Sequence, residues 1–359
     1  MKREDLFLIW LNIQGLTIYK AKDIFEKLND FDAFFDENKV KNAFFGDENY
    51  ELVMKFASLD KTEFEKKIED DLYNNEVNYV TYFSNEYSKL LKNVSDAPLV
   101  LYYKGNIKLL NEKAISIVGT RRPTTYGRIV CEKFTKELSE SGLVTVSGLA
   151  YGIDTLVAES TLSVNGKTIG VLAGGLDSIY PSQNTSLSKK IVQNGGLLIS
   201  EYYIGVKPLS FHFISRNRIV AGIGLGLLIV EAGKVSGTMT TAKFALDQSK
   251  ELFVIPGNIT SPQSEGTNNL IDELPDTFTL STGRILYRLG VTKKSNAKST
   301  KQVDMSETKI LTALEFEEMS FDALCDKTGL SPSELSSKLI KLEMFGLVKK
   351  GNGNTYYKM

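Results

Sequence analysis

Three clusters in this chain carry residue types suited to anions and flat rings. The first is Gly119-Thr120-Arg121-Arg122, followed by Pro123-Thr124-Thr125 and a helical stretch from Tyr126-Gly127. The second is Phe211-His212-Phe213-Ile214-Ser215-Arg216-Asn217-Arg218, with Lys207 just ahead of it and the only histidine of 359 residues inside it. The third is Ser236-Gly237-Thr238, opening another helical stretch. Glycines let backbone N–H groups approach a ligand, helix N-termini add positive potential, and arginine clamps oxyanions in bidentate fashion. Cations for phosphates beside rings for bases are also what a single-stranded nucleic acid needs. A lone histidine has no partners here for a Ser-His-Asp arrangement and reads as a packed or base-facing ring. Because Ile214 and Arg218 lie four apart, part of that helix must face a core.

The elements that would position these clusters are legible between residues 98 and 290. Apolar runs at 114–119, 143–148, 168–175, 195–201, 225–233 and 251–257 alternate with amphipathic stretches such as YGRIVCEKFTKELSESG and SGTMTTAKFALDQSK. Near-continuous apolar strands separated by helices predict a doubly wound, mostly parallel α/β domain of about six strands. Ligands of such sheets sit beyond the carboxyl ends of the strands. Nearly every run ends in a glycine turn: Gly119 after the first, Ser147-Gly148 after the second, Gly174-Gly175 after the third, and Ser236-Gly237-Thr238 beyond the fifth. Together they predict a broad phosphate-binding rim.

Residues 1–97 read as a helical domain with a turn at Gly15, and 291–303 as a lysine-rich linker. Residues 304–359 read as a winged-helix domain: three helices, the last opened by Ser331-Pro332-Ser333-Glu334, then a hairpin around Gly-Asn-Gly. The net charge of −1 is unevenly spread. Residues 1–97 carry 13 basic against 20 acidic side chains, residues 98–290 carry 19 against 15, and 304–359 carry 7 against 9. A polyanion should therefore meet the middle domain, while the flanks suit packing, protein contact or regulation.

Several classes are disfavoured. No GxxxxGK[ST] loop occurs, no GxGxxG follows the first strand, and no HExxH or paired CxxC offers a metal site. The reading therefore assigns no cofactor, no metal and no catalytic residue. The two cysteines, Cys131 and Cys325, lie far apart, and no run of 18 apolar residues occurs. Both features fit a reducing cytoplasm without membrane attachment.

The segments VGTRRPTTYG (118–127), SGLAYGID (147–154), TIGVLAGGLDSIYPSQN (168–184), FISRNRIVAG (213–222), EAGKVSGTMTTAKFALDQ (231–248) and VIPGN (254–258) together resemble the DNA-processing protein A (DprA/Smf) family. The resemblance implies a non-enzymatic protein that binds single-stranded DNA during natural transformation, dimerises, and loads the RecA recombinase onto that DNA. By position, Arg121 matches the family's pocket arginine in G-[ST]-R, and Phe213, Arg216 and Arg218 match its F-x-x-R-N-R segment. Ser182 stands where the family often has lysine after Tyr180-Pro181, and Lys207 is placed less securely. Residues 231–241 also look like the nucleotide-binding turn of lysine-decarboxylase-like phosphoribohydrolases. Thr241, however, stands where those enzymes carry a catalytic glutamate. A third alternative is a nucleotide-sensing Rossmann module without a DNA role.

Overall fold

The computed structural model describes residues 1–28, 30–291, 304–314, 318–344, 347–351 and 355–358. The chain forms two compact units, Met1–Lys294 and Ser295–Met359. The lysine-rich segment expected to be a linker lies, apart from Val291, outside the described residues, as does the hairpin tip beyond Gly351.

The first unit begins with helices α1 (Arg3–Ile13), α2 (Ile18–Lys27), α3 (Glu37–Phe44), α4 (Tyr50–Ala57) and α5 (Lys61–Asn74). Aromatic rings hold them together: Phe7 stacks on Phe34 at 4.2 Å and tilts against Phe56 at 4.8 Å. Asp36 and Asp60 cap α3 and α5 by accepting from N–H groups of the first turn. Then follow β1 (Asn78–Thr81), α6 (Lys89–Lys92), β2 (Val100–Gly105), β3 (Ala114–Val118), α7 (Thr125–Glu140), β4 (Val144–Ser147), α8 (Ile153–Ser163) and β5 (Thr168–Leu172). Next come α9 (Thr185–Gln193), β6 (Leu197–Ser200), α10 (Ser210–Ile223), β7 (Gly226–Ile229), α11 (Gly237–Asp247), β8 (Glu251–Val254), α12 (Glu265–Glu273) and α13 (Thr282–Arg288).

The strands form one sheet in the order β1-β2-β6-β5-β4-β3-β7-β8. All six runs expected from the sequence are strands, and they pair in parallel from β6 through β8. Two strands were not expected. β1 and β2 extend the sheet antiparallel beyond β6, so part of the region read as helical is strand. The N-terminal helices share a core with this edge: Phe7, Trp10, Val100, Tyr102 and Leu198 belong to one apolar cluster. Asn12 of α1 accepts from the Tyr102 hydroxyl at 3.0 Å and donates to the Glu201 carbonyl at 3.1 Å.

Side chains of the parallel strands alternate between two further cores. Val118, Val146, Leu227 and Val254 face α10 and α11, whereas Ile115, Ile117, Leu228 and Phe253 face the side of α7, α8 and α13. Burial on both faces explains why these strands read as near-continuous apolar runs. The chain lays β3, β4, β5 and β6 in one direction, then returns to place β7 on the other side of β3. That reversal opens a crevice at the carboxyl ends of β3 and β7.

The second unit has the winged-helix order α14 (Met305–Ala313), β9 (Met319–Ser320), α15 (Phe321–Thr328), α16 (Pro332–Met344), β10 (Val348–Lys350) and β11 (Thr355–Lys358). Its strands are ordered β10-β11-β9. The Ser331–Glu334 pair caps α16: the Ser331 hydroxyl donates to the Glu334 carboxylate at 2.7 Å, and the Ser331 backbone N–H reaches it at 3.2 Å. Glu307 is fully buried and receives Lys341 at 2.6 Å.

Candidate nucleic-acid interface

A cavity of about 780 Å³ occupies the crevice at the chain reversal. Its wall on the β3 side is the Gly119–Arg122 loop. The Thr120 N–H donates to the Glu231 carbonyl at 2.7 Å, tying this loop to the end of β7. The buried Glu231 carboxylate accepts from the Thr124 N–H at 2.9 Å and its hydroxyl at 2.7 Å. Thr124 in turn caps α7 by accepting from Gly127 at 3.1 Å. A Cβ at Gly127 would lie 2.3 Å from the Glu231 carboxylate, so this clamp demands glycine there. Arg121 and Arg122 stand exposed on the clamped loop, and among the described residues neither has a carboxylate within ion-pair distance.

The Arg121 guanidinium lies over the Phe213 ring, 5.4 Å from its centroid, a cation–π arrangement. The Tyr180 ring, from the loop after β5, meets Phe213 edge-on at 5.6 Å. Phe213 is half-buried and Tyr180 half-exposed, so a cation and two rings stand together on the rim. The wall on the β7 side is Val235-Ser236-Gly237-Thr238 at the start of α11. Asn217 donates to the Gly237 carbonyl at 3.3 Å, and the Thr241 hydroxyl donates to the same carbonyl at 3.1 Å.

Arg216 has a different place from that expected of a phosphate cation. It lines the cavity but is only 4% exposed. Its guanidinium lies across Gly148, where a Cβ would come within 2.1 Å of Nη1. Nη1 donates to the carbonyls of Gly148 and Val171, which joins the ends of β4 and β5. Nε has no partner among the described residues. Asp154, the one carboxylate lining the cavity among them, accepts from the Gly148 and Ala150 N–H groups at 3.1 and 3.3 Å. Burial pushes the Asp154 carboxyl up, opposed by Arg216, and burial pulls the Arg216 guanidinium down, opposed by Asp154.

Arg218 does not reach the cavity. Its guanidinium is buried on the opposite side of α10, paired with Glu201 at 2.5 Å and Asp96 at 3.3 Å, and Nε donates to the Asp96 carbonyl at 2.9 Å. Part of α10 does face the core, through Ile219, Val220 and Ile223, and of the two residues four apart Arg218 is buried while Ile214 is half-exposed. Satisfied ion pairing, rather than apolar character, selects the inward residue here. His212 is buried, stacked on Tyr202 at 4.1 Å, with Nδ1 accepting from the Leu209 N–H at 3.3 Å. Burial holds its pKa below the ordinary 6.5, so the ring is neutral packing at neutral pH.

Of the other expected rim residues, Gly119, Thr120, Gly148, Asn217, Ser236, Gly237 and Thr238 do line the cavity. Ser147 lies beneath it, its hydroxyl donating to the Ile117 carbonyl at 2.9 Å. Gly174 and Gly175 pack instead against the 203–208 segment, with the Gly175 N–H donating to Val206 at 2.9 Å. Lys207 is exposed and is not part of the lining. Sequence reading passed over Tyr180 and Gln263. Tyr180 had a signal, an aromatic residue in a loop after a strand carboxyl end; Gln263 had none.

A family model described as DNA recombination-mediator protein A matches residues 78–289, and one described as DprA winged helix domain matches 294–354. The chain is 40% identical to the DNA processing protein DprA of Bacillus subtilis over 198 residues, 55% of this chain and 66% of that protein. It is 33% identical to the protein Smf of Synechocystis over 317 residues, 77% of this chain and 79% of the relative. A crystal structure of DprA from Streptococcus pneumoniae superposes with a TM-score of 0.68 at 32% identity, covering 80% of this chain and 98% of that one. A DprA structure from Helicobacter pylori, described for its single-stranded DNA binding mode, gives 0.54 at 33% identity, covering 60% and 97%. With more than half of its residues matched by the first family model, the chain belongs to the DNA recombination-mediator protein A (DprA/Smf) family.

Proposed function

We propose that this protein binds single-stranded DNA in the switch-point cavity and delivers it to the RecA recombinase during the processing of incoming DNA. The observation that carries the reading is the rim cluster: Arg121, free of carboxylates among the described residues, over Phe213 and beside Tyr180. Arg121 and Arg122 neutralise phosphates, the glycine-turn amides of Gly119 and Gly237 add donors, and the rings of Phe213 and Tyr180 stack on bases. Such a grip is tolerant of sequence and weakened by salt. Arg216 acts from below by holding the Gly148 turn in place, whereas Arg218 contributes to the stability of the fold through its buried pair with Glu201.

The match to the recombination-mediator family and the single-stranded DNA binding mode described for the Helicobacter relative support this direction. A homodimer would place two such cavities on one strand and gain by effective concentration. Loading of RecA implies work in the cytoplasm; among the described residues no helix is long and apolar enough to cross a membrane. The test is binding of a labelled oligothymidylate by wild type and Arg121→Ala. The variant should bind at least about tenfold more weakly, a loss of about 1.4 kcal/mol, with unchanged thermal melting. Wild-type affinity in the variant would remove Arg121 from the site.

A further inference from the structure

A second cavity, of about 650 Å³, lies on the far side of the Arg121–Arg122 loop, and both arginines line it as they line the first. The two cavities therefore share a wall. Beyond that wall stand Arg128, Tyr151 and Gln183, so the lining holds three arginines against one carboxylate, Glu159. Among the described residues no ion pair joins Glu159 to any of the three.

Arg128 sits in the first turn of α7, where the helix dipole disfavours a cation, and it is exposed. Tyr151 is 40% exposed, and its hydroxyl donates to the Gln183 side-chain oxygen at 2.6 Å. Its ring is thereby tethered, and among the described residues no other ring packs on it.

The Tyr151 loop is also built onto the arginine loop. The Ile153 N–H donates to the Thr120 carbonyl at 3.2 Å. Gly152 has φ of +78°, and a Cβ there would lie 2.5 Å from the Thr120 oxygen and 2.6 Å from Arg121 backbone atoms. Only glycine allows so close an approach. Ring and cations are thus held in a fixed relation across both cavities.

We propose that a bound single strand does not end in the switch-point cavity but crosses the Arg121–Arg122 wall into this second groove. There Arg122 and Arg128 take its next phosphates and Tyr151 stacks on a base. The inference rests on the reading of the first cavity as a single-strand site, and it assigns to Arg128 and Tyr151 a role that appears only with longer strands.

The test is a length series of labelled oligothymidylates, from about 4 to about 16 nucleotides, titrated against full-length wild type, Arg128→Ala, Tyr151→Ala and Arg121→Ala. Arg128 is exposed and has no ion-pair partner among the described residues, so its replacement leaves the fold intact, which thermal melting checks. Wild type should gain affinity with length beyond the point at which Arg128→Ala and Tyr151→Ala level off, and all three should bind the shortest strands alike. On long strands only, Arg128→Ala should also lower the slope of log affinity against log salt by about 0.7, one phosphate contact. Identical length dependence in wild type and both variants overturns the second groove while leaving the first cavity standing. Equal weakening by Arg128→Ala at every length overturns it too, because Arg128 would then belong to the first site. If Arg121→Ala is without effect at all lengths, the first-cavity reading fails and the second groove falls with it.

Discussion

Replacing Arg218 with methionine should unfold the protein more readily without altering the single-strand affinity of the folded fraction. Arg218 and Glu201 have side chains 6% and 9% exposed and are paired at 2.5 Å, so this is a buried ion pair. Methionine keeps the apolar stem and removes the charge, leaving Glu201 buried without its partner. Breaking a buried pair from one side costs about 3–5 kcal/mol. Asp96, whose side chain is 48% exposed, adds little, because solvent screens it. Against a total stability of about 5–15 kcal/mol, that is a large fraction.

In urea, with a slope of roughly 3 kcal/mol/M for a unit of this size, the midpoint should fall by about 1–1.7 M. Removing both charges, Arg218→Met with Glu201→Gln, should recover most of the loss, since the penalty is the orphaned carboxylate rather than the missing contact. Two results would show that Arg218 is not a buried structural anchor. One is a midpoint shift below about 0.3 M, meaning under roughly 1 kcal/mol. The other is a variant of unchanged stability that no longer binds the strand, which would place Arg218 in the interface.

Two further perturbations test the α10 segment. Phe213→Leu keeps an apolar side chain but loses the ring, so it should weaken oligothymidylate binding by about 1–3 kcal/mol per stacked base, or about fivefold to 150-fold; anisotropy titration at fixed salt reads the change. His212 is held below its ordinary pKa of 6.5 by burial, so in the window just below 6.5 the unfolded chain binds more protons than the folded one. Stability should therefore rise with pH through that window and fall on acidification. His212→Gln should shrink the difference in urea midpoint between about pH 7.5 and about pH 5.5, and an unchanged difference would mean that His212 titrates normally in the fold.

The sheet was legible because parallel strands covered on both faces must be largely apolar, as Gly226–Ile229 is throughout and Ala114–Val118 is apart from the buried Ser116. The glycines were legible for a related reason: the Arg216 guanidinium at Gly148 and the Glu231 carboxylate at Gly127 leave no room for a Cβ. β1 was not legible, since Asn-Tyr-Val-Thr is a four-residue edge strand with an exposed end and no distinctive run. The orientation of α10 escaped for a stronger reason. Apolar side chains lie on all sides of it, with Phe211 and Ile214 exposed and Ile219, Val220 and Ile223 buried, so periodicity marks no single inner face. What turns Arg218 inward is a carboxylate pair from Asp96 and Glu201, contributed by segments that lie apart in the sequence. The meeting of Arg121 with Phe213 is likewise tertiary, because it exists only once β3 and α10 close the crevice. The Arg-Asn-Arg motif therefore divides its labour: Arg216 shapes the cavity floor, Asn217 braces its β7 wall, and Arg218 anchors the helix.

A rim cluster that grips a single strand through phosphates and bases should show itself in salt-dependent binding. Oligothymidylate and duplex of equal length should be titrated against wild type and Arg121→Ala over a range of salt. Wild type should prefer the single strand, with log affinity falling linearly in log salt by about 0.7 per phosphate contacted. Arg121→Ala should lose about 0.7 of that slope together with at least about tenfold in affinity. Equal affinity for duplex and single strand, or a variant whose slope and affinity match those of wild type, would rule out a single-strand grip at Arg121.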